Sequence, residues 1–152
     1  MIRVCHFTPH LPPDQAANAL LPFHLGCWAR EAGDEVSYVA HPPRAGVSTE
    51  TPGPVTWVAA RESRPRWPVV RQADSLVEIW RLARAAAPMV ARSDLVHVHS
   101  NGLIAETGGL VASFKGKPVV LTLYGTEIWH YRRRAIDLFT RMYRRASQVT
   151  FY

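Results

Sequence analysis

The stretch VVLTLYGTEIWHY, residues 119–131, opens on Val119, Val120, Leu121, Thr122 and Leu123 and then breaks at Tyr124-Gly125-Thr126-Glu127. A strand with one wet face alternates apolar and polar residues. This one does not, so it reads as a strand covered on both sides, as in a parallel sheet. Its polar, glycine-containing exit then falls at the carboxyl end of the strand, where such sheets bind ligands. The residues themselves leave two readings open. Glu127 can be a favourable negative charge near the start of the next helix. Alternatively, Gly125 lets backbone approach a ligand while Thr126 and Glu127 offer a hydroxyl and a carboxylate to sugar hydroxyls.

Working outward, the same alternation recurs along the chain. Ile2–Phe7 reads as a first strand, stopped by the proline-rich loop Thr8–Asp14 because proline cannot donate to a ladder. A helix is expected through Ala32, with Asp14 as its N-cap and Gly33 closing it; Pro22 should kink or restart it. Glu35–Ala40 and Val55–Ala60 read as strands two and three. A helix over Val70–Ala87 is expected to bury Leu76, Ile79, Trp80, Ala83 and Ala87 and to stop or kink at Pro88. Asp94–His99 (DLVHVH) reads as strand four, with Ser100-Asn101-Gly102 capping a helix over Leu103–Phe114. After strand five, Pro118–Leu123, a basic helix lies between Ile128 and Ala146, and Gln148–Tyr152 is a sixth strand. Strands alternating with helices predict a doubly wound, Rossmann-like α/β domain. Three loops then flank a ligand edge: Thr8–Ala17, Ser100–Gly102 and Tyr124–Glu127.

The chain has 152 residues, 47% hydrophobic and 20% charged, which fits one globular domain and excludes a disordered chain. Its formal charge of +6 points to an anionic partner without choosing among phosphorylated ligands, anionic membranes and nucleic acid. No helix-turn-helix, RRM or KH signature accompanies the charge, so nucleic acid is not expected. On a helical wheel Arg133, Arg134, Arg141, Arg144 and Arg145 gather on one face. That face is either solvated or an anionic-membrane contact, with Arg61, Arg64, Arg66 and Trp67 able to join it. Neither GxGxxG nor a Walker A motif occurs, which argues against dinucleotide and P-loop ATP binding. Cys5 and Cys27 read as free thiols in a reducing compartment. Met1–Phe7 is too short for the apolar region of a secretory signal, so a cytoplasmic protein is expected. His97 and His99 share a strand face; with no third ligand evident they read as one core and one rim histidine, and no metal is expected. At Asp14-Gln15 the helix start is either a simple cap or an N-terminus aimed at an anionic or sugar ligand.

In order and spacing, four segments resemble the N-terminal domain of family-4 glycosyltransferases. They are the first strand running into Pro12–Ala17 (PPDQAA), Ala32-Gly33-Asp34-Glu35-Val36, Asp94–Ser100 (DLVHVHS), and Pro118–Glu127 (PVVLTLYGTE). The resemblance covers the whole of residues 1–152 and implies one lobe of a GT-B fold, two facing Rossmann lobes. It implies a retaining transfer from a nucleotide-diphosphate sugar to a hydroxyl acceptor, a glycan or lipid-linked saccharide. The acceptor would meet Asp14, Gln15, Ala16, Ala17, His99, Asn101, Tyr124, Gly125, Thr126 and Glu127. A second lobe, in cis or in trans, would bind the donor, no other cofactor is expected, and residues 1–152 alone would be inactive. No residue stands out as catalytic. Two departures narrow the match: Ala16 and Ala17 replace the usual glycines, and Tyr124 replaces the usual histidine and is carried over only as a sugar contact. The competing expectations are a non-catalytic subunit recruiting a partner chain to the inner face of a membrane, and another GT-B enzyme such as an epimerase or phosphorylase.

Overall fold

The computed structural model describes residues 1–43, 50–60, 67–125 and 137–152, apart from the side chains of residues 68, 69 and 71. Its elements are β1 (Arg3–Phe7), α1 (Ala17–Glu31), β2 (Glu35–Ala40), β3 (Val55–Trp57), α2 (Pro68–Arg92), β4 (Leu95–His99), α3 (Leu103–Phe114), β5 (Val119–Leu123), α4 (Leu138–Arg145) and β6 (Gln148–Phe151). The six strands form one sheet in the order β3-β2-β1-β4-β5-β6, with every pairing parallel. The expected doubly wound Rossmann-like architecture is therefore present. The chain reverses its direction of travel between β1 and β4, and a crevice opens at such a switch point. Among the described residues no helix is long and apolar enough to cross a membrane.

Strand alternation divides the core in two. Cys5, Phe7, Val96, Val98, Val119 and Leu121 face one side and pack with α2, α3 and α4 through Leu82, Ala86, Val90, Ala105, Ala112 and Met142. Val36, Tyr38 and Ala40 face the other side with Leu11, under Phe23 and Ala29 of α1. Gly108 and Gly109 set the depth at which α3 sits. A Cβ on Gly108 would lie 2.6 Å from the Phe7 ring, and one on Gly109 2.6 Å from Met142 Sδ.

Five features of the elements differ from expectation. Asp14 does not cap α1; the N-cap is Ala16, without a side-chain cap, because the Asp14 carboxylate turns to His10 Nδ1 at 2.9 Å. Pro22 neither kinks α1 to a stop nor restarts it, and Ala17–Glu31 is one helix. Proline at 22 has no N–H for the carbonyl of Asn18, and the Thr8 hydroxyl donates to that carbonyl instead. Pro88 likewise lies inside α2, which runs on to Arg92. The longer helix packs through its C-terminal half, so its buried stripe is Leu82, Ala86 and Val90, while Leu76 and Trp80 are exposed. A helix start at Leu138 lies within the span expected to be one basic helix, capped by Asp137, whose Oδ1 accepts from Thr140 N at 2.9 Å. Strand three is also shorter than expected, although Val58 N still donates to Ala40 O at 2.9 Å. Arg61, Arg64, Arg66, Thr126, Glu127, Arg133 and Arg134 lie outside the described residues.

Candidate functional site

At the carboxyl edge of the sheet the described residues enclose a cleft of about 200 Å³. Pro9 enters it from the end of β1, His41 from β2, Ala60 from beyond β3, and Asn101 to Ile104 from β4 and the start of α3. The N-terminal half of α2 closes it with Asp74, Ser75 and Glu78. Asp74 and Glu78 are one turn apart and therefore share a helix face. His41 is fixed from behind, its Nδ1 2.7 Å from Val58 O. Ser100 has φ of 78° and is buried; a non-glycine residue held in the left-handed region marks a backbone that its surroundings over-determine. Ser100 N donates to Thr122 O at 2.9 Å, which ties this turn to β5. Gly102, at φ of 97°, is the N-cap of α3 and adopts a conformation open to few other residues.

Of the expected wall residues that are described, Asn101 alone lines this cleft. Gln15, Ala16 and Ala17 are exposed at the start of α1, Asp14 is held by His10, and Gly125 is exposed. His99 is not a rim residue. It is fully buried, because His6 covers one end of its ring and Tyr124 the other. Its Nε2 lies 3.0 Å from His6 Nδ1 and its Nδ1 3.2 Å from the Tyr124 hydroxyl. Tyr124 is itself buried, with its ring edge-on to Tyr152. Its hydroxyl thus meets a histidine inside the domain, in contrast to the sugar contact implied by the resemblance.

The half-buried histidine is His97. Its Nε2 lies 2.8 Å from Thr122 Oγ1, which lies 2.7 Å from Thr150 Oγ1. His6, His97 and His99 therefore form one layer on the α1-facing side of the sheet, with Tyr38 stacked on His6 at 5.2 Å between ring centres. Burial lowers His6 to a pKa of about 3 and His97 to about 4, and pushes His99 well below the usual histidine value. All three are neutral at physiological pH. Burial also raises the Cys5 thiol to about 11, so it is not a nucleophile near neutrality.

Sequence reasoning missed His6, His41, Asp74, Ser75 and Glu78. His6 carried one usable signal, alternation that puts it on the inner face with Val4 and Thr8. Its meeting with His97 depends on the register of β1 against β4, where the two are direct partners. The acidic pair on α2 carried no signal, since an Asp and a Glu on a helix are usually solvated.

The family model described as Glycosyltransferase Family 4 matches residues 23–151. The chain belongs to that family. Among solved structures, MurG of Acinetobacter baumannii is similar with a TM-score of 0.60 at 17% identity, covering 99% of this chain and 41% of that one. A putative UDP-N-acetylglucosamine 2-epimerase of Listeria monocytogenes has a TM-score of 0.58 at 14% identity, covering 97% and 38%. CalG4, the calicheamicin glycosyltransferase, has a TM-score of 0.53 at 16% identity, covering 95% and 36%. At these identities the likeness is one of fold. The family-4 chain described here spans less than half the length of each neighbour. No curated protein matches it in sequence.

Proposed function

We propose that residues 1–152 form the acceptor-side lobe of a glycosyltransferase. The observation that carries this reading is the cleft at the switch point of a family-4 sheet, where Asn101, His41, Ser75, Asp74 and Glu78 offer an amide, an imidazole, a hydroxyl and two carboxylates. Such a mixture suits hydroxyl-rich acceptors, a glycan or lipid-linked saccharide, better than a purely anionic ligand. The donor, a nucleotide-diphosphate sugar, is assigned to a second lobe in cis or in trans. The acceptor oxygen forms a bond to the anomeric carbon as the bond from that carbon to the diphosphate oxygen breaks, with retention of configuration. The hydroxyl proton leaves with the diphosphate. This lobe contributes position and a dry wall, and alone transfers nothing.

In the complete enzyme, Asn101→Ala should raise the acceptor KM about tenfold or more and leave the donor KM within about twofold. A change confined to donor KM would overturn the acceptor-side assignment. Donor epimerisation or phosphorolysis without transfer would select another GT-B activity.

A recruiting role at the inner face of an anionic membrane is the second reading. It draws on α2, where Trp67 and Trp80 are 76% and 61% exposed beside exposed Val70 and Val77. Arg81 and Arg84 are exposed on the same helix, and Arg84 lies over the Trp80 ring at 5.6 Å. Arg141, Arg144 and Arg145 are exposed on α4. Aromatic and basic side chains on one helix suit an interface between lipid headgroups and water.

A further inference from the structure

We propose that His6, His97 and His99 form a binding site for one divalent transition-metal ion of the zinc type, held by three imidazoles on the α1-facing side of the sheet. One ring nitrogen from each residue lies within 4.8 Å of the others. The backbone brings them together without any loop. His6 on β1 is the direct register partner of His97 on β4, and alternation returns His99 to the same face.

A tetrahedral ion with metal–nitrogen bonds of about 2.0–2.1 Å needs its ligand nitrogens roughly 3.3 Å apart. His6 Nδ1 and His99 Nε2 are 3.0 Å apart, already close to that spacing. His97 is the half-buried member, and its ring centre lies 4.0 Å from that of His99.

Two of the remaining nitrogens, on His99 and His97, face outer partners of the kind ligating histidines use. His99 Nδ1 faces the Tyr124 hydroxyl at 3.2 Å. With the His99 proton placed there, its Nε2 presents a lone pair. His6 then needs only to shift its own proton from Nδ1 to Nε2. His97 Nε2 faces Thr122 Oγ1, which is backed by Thr150. Thr122, on β5, thus holds one nitrogen of the third ligand and leaves its Nδ1 for the ion.

The donor set decides the class of ion. Imidazole alone suits zinc, copper or nickel and disfavours magnesium and calcium, which need oxygen ligands. Three protein ligands leave a fourth position for water on the more open, His97 side. The site is separate from the cleft residues proposed to meet the acceptor, and its presence does not depend on that reading.

Full-length protein stripped with chelator is titrated with Co²⁺ as a spectroscopic probe and with Zn²⁺ by calorimetry. The expected result is one equivalent bound, visible d–d absorption of tetrahedral Co²⁺, and a melting temperature raised by Zn²⁺. His97→Gln should weaken Co²⁺ binding by more than about tenfold and abolish the Zn²⁺-dependent rise in melting temperature. His24→Gln, on an exposed residue of α1, should change neither. Because His6→Gln removes a buried ring and can fail to fold, the half-buried His97 carries the decisive variant. Absence of visible bands, or bands of full strength in His97→Gln, would overturn the site and leave the three histidines as a hydrogen-bonded layer.

Discussion

His99, which the resemblance places against the acceptor, ends β4 with its ring between His6 and Tyr124. Nothing local to DLVHVHS reports a histidine arriving from residue 6. Asp94, two positions before Val96, shows the same dependence at the opposite edge of the sheet. It accepts from Arg3 N at 2.9 Å, Arg3 Nε at 3.1 Å and, through Oδ1, Arg3 Nη2 at 2.7 Å, which ties the start of β1 to the start of β4. The Arg3 hydrogen bonds lower Asp94 to a pKa of about 2. A carboxyl depressed on folding stabilises the fold above its unfolded pKa, near 4, and loses that contribution as pH falls toward 2. Asp94→Asn should therefore be less stable than the parent by a constant margin from pH 7 to 5 in urea denaturation. The margin should shrink between pH 4 and 2. Because the pair lies at the surface the effect is small, and a margin that does not change with pH would discount the ion pair.

At the scale of elements, periodicity placed every strand and helix described, and tertiary partners overrode the terminators. The proline at 22 ought to interrupt a helix, and does not because Thr8, on the loop after β1, supplies the missing donor to Asn18 O. Thr8 is fully buried. Thr8→Val keeps the shape and removes the single O–H donor, which Asn18 O shares with His10 O at 3.0 Å. A loss of about 1–3 kcal/mol is expected, read by equilibrium denaturation. A change below about 0.5 kcal/mol would mean that α1 tolerates Pro22 unaided. Helix α2 teaches the companion lesson. Its apolar residues run most of the way around the N-terminal half, so spacing alone admitted more than one stripe, and packing against α3 and the sheet chose Leu82, Ala86 and Val90.

For the molecule as a whole, the exposed apolar and basic face of α2 sets the prediction. If it meets a membrane, the protein should co-sediment with vesicles containing phosphatidylserine, and binding should weaken as salt rises from about 0.05 to 0.5 M. Trp80→Ala should reduce that binding several-fold while leaving the melting temperature unchanged, since Trp80 is largely exposed. Equal binding to neutral and anionic vesicles, or none, would remove the membrane reading. Taken by itself, the sequence determined the α/β class, the parallel sheet and the family. Each of these follows from periodicity, glycine and proline positions and motif order, all of which are local in the chain. Only the tertiary structure decided the cleft with Asp74, Ser75 and Glu78, the burial of Tyr124, and the histidine layer of residues 6, 97 and 99. These depend on strand register and on which half of α2 packs, and both arise from contacts between residues far apart in the chain.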